Sequence, residues 1–427
     1  MTNIFWFRRD LRLSDNVAFA NALAGQNKVI PLFIFDTNIL DELPRNDARV
    51  NFIYKELKKL DVELQKHGSA ILVKHGDPLK VWKEISEEYI IDSVFYNKDY
   101  EPYATERDQK VTELLKAKNI SVNSFKDQVI FEENEVLKPD GGPYTVFTPY
   151  KNRWLETLKE TGLPEIHKAN WQQLEKRESD FPTLDDIGFN PSSITVKDFD
   201  LGHLDQYSKT RDLPAADGTS HLSVHLRFGT VSIREIVLNV YKKYPTFLSE
   251  LIWREFFMQI LYHHPDVVHH NFRRKYDGIE WRNDEKEFEK WCKGETGYPM
   301  VDAGMRELNE TGYMHNRVRM ITASFLCKHL LIDWRWGEAY FAKKLLDYEL
   351  SSNNGNWQWA AGTGCDAAPY FRVFNPAEQQ KKFDKDFEYV KRWIPELNSF
   401  NYPTPMVDHR FARERALNTY KNGIRNE

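Results

Sequence analysis

Two hydrophobic rhythms divide the chain. Through its first third, short apolar runs at residues 4–7, 29–35, 70–74, 93–96 and 120–125 alternate with longer amphipathic stretches at 48–66, 78–89 and 104–118. Short, near-continuous apolar runs read as strands buried on both faces. Their alternation with helical stretches predicts a parallel sheet with helices on both sides. Asp77 ahead of Pro78 has the form of a helix N-cap followed by proline in the first turn. No GxGxxG follows the first strand, so a dinucleotide fingerprint is missing. From about residue 200 the strand runs vanish, and the spacing predicts helices over 249–263, 298–309, 315–332 and 337–350. Turn-rich sequence lies between the two regimes, at Pro139-Asp140-Gly141-Gly142-Pro143, Gly162-Leu163-Pro164 and Phe181-Pro182. The expected fold is therefore α/β. A doubly wound parallel-sheet domain spans 1–130, a connector 131–195, and a larger all-helical domain 196–427.

Composition narrows the chemistry. A formal charge of −5 argues against a protein that coats nucleic acid by bulk charge, although a local basic face stays open. The three cysteines, Cys292, Cys327 and Cys365, form no CxxC pair and are too few for a four-cysteine cluster. The histidines, including His263-His264 and His269-His270, show no HExxH spacing, so no metal site is expected and these residues read as surface or DNA-facing. Residues 1–9 carry no signal or transit pattern, and no apolar run reaches membrane-span length. A cytoplasmic protein without membrane attachment is the expectation. Eight of the 12 tryptophans fall between Trp253 and Trp393, which places the aromatic excess in the helical region.

Four segments in and just ahead of that region mix residue types in ways that packing alone does not ask for. Gly218-Thr219-Ser220-His221-Leu222-Ser223 leads hydroxyls into a helix start, which suits a phosphate or an ordinary cap. Glu250, Trp253, Arg254 and Phe257 fall at i, i+3, i+4 and i+7, a stripe that suits a flat ligand with polar edges, such as a base, or a half-exposed helix with an ion pair. In Met314-His315-Asn316-Arg317-Val318-Arg319-Met320, Asn316 and Met320 share a direction, while Arg319 points elsewhere and needs a carboxylate if buried. The stretch from Asp347 to Trp359 reads as irregular. In it Gly355 permits close approach of a ligand or backbone, and Trp357 and Trp359 lie beside a cluster of amides.

Together these segments resemble the photolyase/cryptochrome family, most closely the class I cyclobutane pyrimidine dimer photolyases. The resemblance runs from Phe5-Trp6-Phe7-Arg8-Arg9-Asp10-Leu11-Arg12-Leu13, through Trp291-x-x-Gly294-x-Thr296-Gly297-Tyr298-Pro299, to Phe374-Asn375-Pro376 and Arg392-Trp393-Ile394-Pro395-Glu396-Leu397. It implies FAD in the helical domain. Tyr207 and the run Thr219, Ser220, His221, Leu222, Ser223 match positions at the pyrophosphate. Phe247 stands where a Trp often lines the flavin. Arg319 and Asp347 match a salt bridge beside the ring, Asp347, Tyr348 and Glu349 the segment around flavin and ribose, and Asn353 the amide facing the flavin. It further implies repair of UV-damaged DNA by a monomer, with the lesion flipped out of the duplex. Trp253 and Trp359 would flank the dimer, Glu250 would bond its edge, and Asn316, Arg317 and Met320 would line the pocket. Arg254 and Phe257 belong to the same DNA-facing stripe, and Arg211 and Gln379 match DNA-contacting positions. Trp357, Trp334 and Trp291 match a relay that carries electrons from the surface to the flavin. The sheet domain would hold a second, light-harvesting chromophore near Asn97, Glu101 and Pro44: methenyltetrahydrofolate, a deazaflavin or a second flavin. The rivals are a cryptochrome, for which the stretch after Pro395 leaves little room, and a (6-4) photolyase, whose paired His are replaced here by Asn316 and Met320. A light-independent nucleotide-binding protein is the third, and the tryptophan set argues against it.

Overall fold

A computed structural model describes residues 1–424. The chain divides into two compact units. One comprises Met1–Glu135, Glu156–Phe199 and His221–Pro245; the other comprises Val136–Leu155, Asp200–Ser220 and Thr246–Glu427. Residues of the expected connector are thus shared between the units.

The first unit holds a five-stranded parallel sheet of β1 (Thr2–Phe7), β2 (Lys28–Asp36), β3 (Leu72–Gly76), β4 (Ile91–Asn97) and β5 (Ser121–Phe125), in the order β3-β2-β1-β4-β5. Central β1 is buried from Asn3 to Phe7, and alternation assigns its two faces. Ile4 and Trp6 pack with Trp82 of the Pro78–Glu88 helix and with Val111 and Leu115 of the Pro102–Ala117 helix. Phe5 and Phe7 face the other way, onto Phe19 of the Val17–Ala22 helix, at ring-centroid distances of 5.1 and 6.1 Å. A strand with both faces covered needs the unbroken apolar run seen in the sequence. Asp77 caps its helix as expected, accepting from the Lys80 N–H at 3.1 Å.

Buried charge recruits the segment after His221 to this unit. Arg12 grips both oxygens of Asp127 at 2.7 Å, and Arg234 of the Ile233–Val240 helix reaches Asp127 at 2.7 Å and Asp15 at 2.9 Å. Ser232 caps that helix and also donates to Asp15. Burial alone would raise the Asp127 carboxyl. The two guanidiniums overcome it and hold the group below the usual carboxylate range.

The second unit is helical, and its core gathers Trp291, Phe325, Leu326, Trp334, Phe341 and Trp357. Two of its elements differ from the sequence expectation. The predicted 315–332 helix runs as α over Asn316–Ser324, then widens to π over Phe325–Leu330 and stops at Leu331, which takes a left-handed backbone. The predicted 337–350 helix is instead Trp334–Lys344, followed by a break and a second helix, Leu350–Ala361. Trp357 and Trp359 therefore lie on a helix, not in an irregular stretch. Glu349 explains this. In an extended backbone it caps the new helix, its carboxylate accepting from the N–H groups of Ser351 (3.3 Å) and Ser352 (2.9 Å) and from the Ser351 hydroxyl (2.6 Å). The supposed connector also contains a helix, Phe147–Thr161. No helix of the described residues is long and apolar enough to cross a membrane.

Asp127→Asn leaves two buried guanidiniums sharing a neutral amide, so the sheet-bearing unit should lose about 3–5 kcal/mol. A lowered thermal midpoint of unfolding reads this out, and a midpoint equal to wild type contradicts it.

Candidate functional site

The break between the two helices positions the first group of predicted residues. Asn316, Arg319 and Met320 approach it from the Asn316–Ser324 helix, and Asn353, Trp357 and Trp359 from the Leu350–Ala361 helix. With Asp347, Tyr348 and Glu349 they line a cleft enclosing ≈ 590 Å³. Arg319 shares this cleft with Asn316 and Met320 rather than pointing away from them. Its Nη2 donates to Asp347 Oδ2 at 2.8 Å, and its Nε to the Met314 carbonyl at 2.8 Å. The other Asp347 oxygen, Oδ1, is buried and has no hydrogen-bond partner. A carboxylate oxygen in that state calls for an N–H or O–H donor from whatever fills the cleft. A flavin ring, planar and edged with an N–H, meets that demand, and the amide of Asn353 suits the same ring.

Asn353 is already half committed. Its Nδ2 donates to Glu338 Oε1 at 2.7 Å and to the Glu338 carbonyl at 3.1 Å, which leaves Oδ1 as the atom not spent on Glu338. Burial raises the Glu338 carboxyl, with the Asn353 hydrogen bond opposing. Glu349 is more fully committed. Both of its oxygens accept in the cap, and the same residue lines the cleft.

A second group forms around the start of the Pro245–His263 helix. Arg211 Nη1 meets Glu250 Oε1 at 2.5 Å, and the same guanidinium lies 5.4 Å from the centre of the Tyr207 ring. Tyr207 meets Phe247 edge-on at 5.1 Å. Burial, reinforced by Glu250, pushes the Tyr207 hydroxyl up to about 12, so it stays a neutral donor. These four residues do not line the cleft described above. The Thr219–Ser223 run divides between the units: Thr219 and Ser220 lie in the second, while His221, Leu222 and the exposed Ser223 lie in the first.

Four predicted placements change. Phe257 does not face DNA: it is buried, and its ring fills the space over Gly355, where a Cβ would come within 2.2 Å of it. Gly355 thus admits a phenylalanine ring, not a ligand. Arg317 lies outside the cleft lining, with Nη2 on Asp212 at 2.8 Å and its guanidinium 4.4 Å from the Phe383 ring centre. Trp291 has 0 % exposure and donates to the Thr322 carbonyl at 3.1 Å, so it cannot be the solvent end of a relay. Asn97, expected near an antenna chromophore, is buried among its own partners Asp10 (2.6 Å), Asn16 (2.8 Å) and the Ala18 N–H (3.0 Å). Glu101 pairs with Arg9 at 3.2 Å and Arg227 at 3.3 Å.

The tryptophans sort by what covers them. Trp357 lies edge-on to Phe341 at 5.0 Å and to Trp291 at 6.1 Å, and it fits only because Gly337 has no side chain: a Cβ there would fall 2.1 Å from the indole. Trp334 is buried in the same core, its Nε1 donating to Asn271 at 2.9 Å. Trp281 and Trp336 pack on that core while staying partly exposed. Trp359 is half-buried at the cleft, as is Trp253, which stands outside it. Gln379 sits half-buried on the Pro376–Phe383 helix, and Arg254 beside Trp253. Sequence reasoning passed over Glu338, Phe147 and Trp281. Of these only Phe147 had a local signal, since Thr148-Pro149 directly after it suits a first helical turn. Among the described residues no group of three or more His, Cys, Asp or Glu is placed to hold a metal ion.

Comparison with known proteins covers nearly the whole chain. The model of the DNA photolyase family matches residues 3–169, and that of the FAD binding domain of DNA photolyase matches residues 247–401. A deoxyribodipyrimidine photo-lyase of Agrobacterium fabrum is 37% identical, over 98% of this chain and 97% of its own length. Two crystal structures resemble the chain at a TM-score of 0.87 each: a bacterial class III photolyase from Agrobacterium tumefaciens and an archaeal photolyase from Sulfolobus tokodaii with two FAD molecules. They are 35% and 36% identical to it, covering 99% of this chain and 97% and 100% of theirs.

His315 gives the site a pH dependence. Its Nδ1 accepts the Arg317 N–H at 3.1 Å as the helix cap, which requires the unprotonated nitrogen. Burial pushes its pKa from 6.5 down to about 4; Asp212 pulls it upward, and Arg319, Arg317 and Arg211 act with burial. A depressed folded-state pKa means stability is full above 6.5 and is lost as pH falls from there toward about 4. His315→Asn keeps a capping acceptor without the titration. Its thermal midpoint should therefore fall less than that of wild type between pH 6.5 and 4. Parallel curves for the two proteins contradict this.

Proposed function

This chain belongs to the DNA photolyase family, and from that premise we propose that it binds FAD in its helical unit and uses light to split cyclobutane pyrimidine dimers in DNA. The observation that carries the reading is the cleft at the helix break, where a buried, half-paired carboxylate (Asp347), an amide (Asn353) and an indole (Trp359) converge. Asp347 would accept from the flavin ring through Oδ1 while Arg319 holds its other oxygen, and Asn353 would present Oδ1 to the ring edge. Tyr207 and Phe247 would line the cofactor elsewhere in the unit. When bound and reduced, FAD supplies a photoexcited electron that opens the cyclobutane ring and is then recovered.

The protein's own residues place the substrate. Trp253 and Trp359 would stack on the flipped pyrimidines, each stack contributing roughly 1–3 kcal/mol. Glu250 would accept a hydrogen bond from a pyrimidine N–H, and the Arg211 guanidinium paired with its Oε1 holds the side chain in place for that contact. Asn316 and Met320 shape the near wall, and Arg254, Arg211 and Gln379 would meet the DNA. Trp357 and Trp334 would pass electrons inward. Because Trp291 is enclosed, the solvent end of such a path falls to a partly exposed tryptophan on the same core, Trp281 or Trp336. The sheet-bearing unit would carry a second, light-harvesting chromophore, held by residues other than Asn97. The protein would act as a monomer in the cytoplasm.

The test is direct. Reduced, flavin-loaded protein given UV-irradiated DNA should remove cyclobutane dimers under blue or near-UV light and none in the dark. Loaded protein that leaves the dimers intact under light contradicts the reading.

A further inference from the structure

The Trp253 indole does not stand alone. The Phe147 ring lies flat against it, with centroids 3.7 Å apart and planes 7° from parallel. Phe256 closes on the indole edge-on at 5.6 Å, and Phe257 flanks it at 5.4 Å and 27°. Phe147 is itself buried and anchored by a helix-to-helix seam. Phe147, Tyr150 and Trp154 fall at i, i+3 and i+7 on one face of the Phe147–Thr161 helix, and all three meet the Pro245–His263 helix. Tyr150 packs on Phe256 at 5.2 Å, and Trp154 Nε1 donates to Glu255 Oε1 at 2.7 Å. The Phe147 backbone N–H donates to Asp366 Oδ2 at 3.0 Å, in the segment that follows the helix bearing Trp359. One residue thus touches the plane of Trp253 with its ring and the exit of the Trp359 helix with its backbone.

We propose that Phe147 is a positioning residue that fixes the orientation of the Trp253 indole and so sets the discrimination between damaged and intact DNA. The proposal rests on the stacking role given above to Trp253. A half-buried tryptophan has two rotatable torsions, and an unbacked indole spreads over several rotamers. A parallel ring in van der Waals contact over one face removes that freedom and closes that face to the lesion. The flipped pyrimidines then meet a platform whose tilt is set before they arrive, which converts stacking area into selectivity. Intact DNA, which presents no flipped pair, gains nothing from it.

The test measures Kd for DNA carrying one cyclobutane dimer and for the same sequence undamaged, using flavin-loaded full-length protein. The variants are Phe147→Leu, Phe147→Tyr, Trp253→Ala and Phe147→Leu/Trp253→Ala, with flavin absorbance confirming that each is folded. Phe147→Leu should weaken dimer binding about three- to tenfold, the range of an aromatic pair, with undamaged DNA unaffected. Phe147→Tyr, which keeps the ring, should bind like wild type and stands in if the leucine variant does not fold. In the Trp253→Ala background the leucine substitution should cost nothing more. Equal losses on both DNAs, a loss that persists without Trp253, no loss for leucine, or a tyrosine variant as weak as leucine each overturns the proposal while leaving Trp253 its role. Unchanged dimer binding by Trp253→Ala alone instead removes the stacking role, and the positioning role with it.

Discussion

Asp347 lies in the gap between two helices that the sequence pattern alone would fuse. One of its oxygens is held by Arg319; the other is buried without a partner. An unsatisfied polar atom at that depth costs about 1–3 kcal/mol. The fold tolerates this only if something in the cleft supplies a donor. The gap is kept open from its far side by Glu349, whose carboxylate starts the next helix. That helix then delivers Asn353, Trp357 and Trp359 to one side of the cleft, while Arg319 ties the opposing Asn316–Ser324 helix to the break. Loss of the break would remove the cleft, and with it the place where cofactor and substrate could meet.

The aromatic residues of the helical unit look alike in the sequence but not in space. Two glycines decide much of the difference. Gly337 admits the Trp357 ring into the core, and Gly355 admits Phe257 beneath the helix that carries Trp359. Once those rings are sunk, Trp253 and Trp359 stay half-exposed, and Trp253 already has one face occupied by Phe147. Burial therefore separates the residues suited to conduct electrons from those suited to hold a base.

The sheet was readable because strands buried on both faces leave no polar position to interrupt the run, and β1 from Ile4 to Phe7 is such a case. The Arg319–Asp347 pair was readable through the family resemblance; the residues alone said only that a buried Arg319 would need a carboxylate. Other features were hidden for a physical reason: they depend on what lies opposite. The capping role of Glu349 was invisible until Ser351 and Ser352 turned toward it. Trp291 could be read as surface or core, and Gly355 as a ligand contact or a packing notch, since each outcome is set by a residue far away in the chain. The stretch from 347 to 359 carries polar residues and a glycine that weaken helix propensity, and tertiary packing overrides that preference. The division of 131–195 between the two units, with a helix inside it, was masked by its prolines and glycines.

The central claim is that the helical unit seats one flavin against Asp347. The most direct measurement is the flavin content of purified, folded protein, by absorbance and by release on denaturation, for wild type and for Asp347→Ala. The account predicts at least one FAD per chain in the wild type and the loss of about one equivalent of bound flavin in the variant. Wild-type protein that is folded yet holds no flavin when supplied with FAD, or a variant that holds it as tightly as wild type, contradicts it.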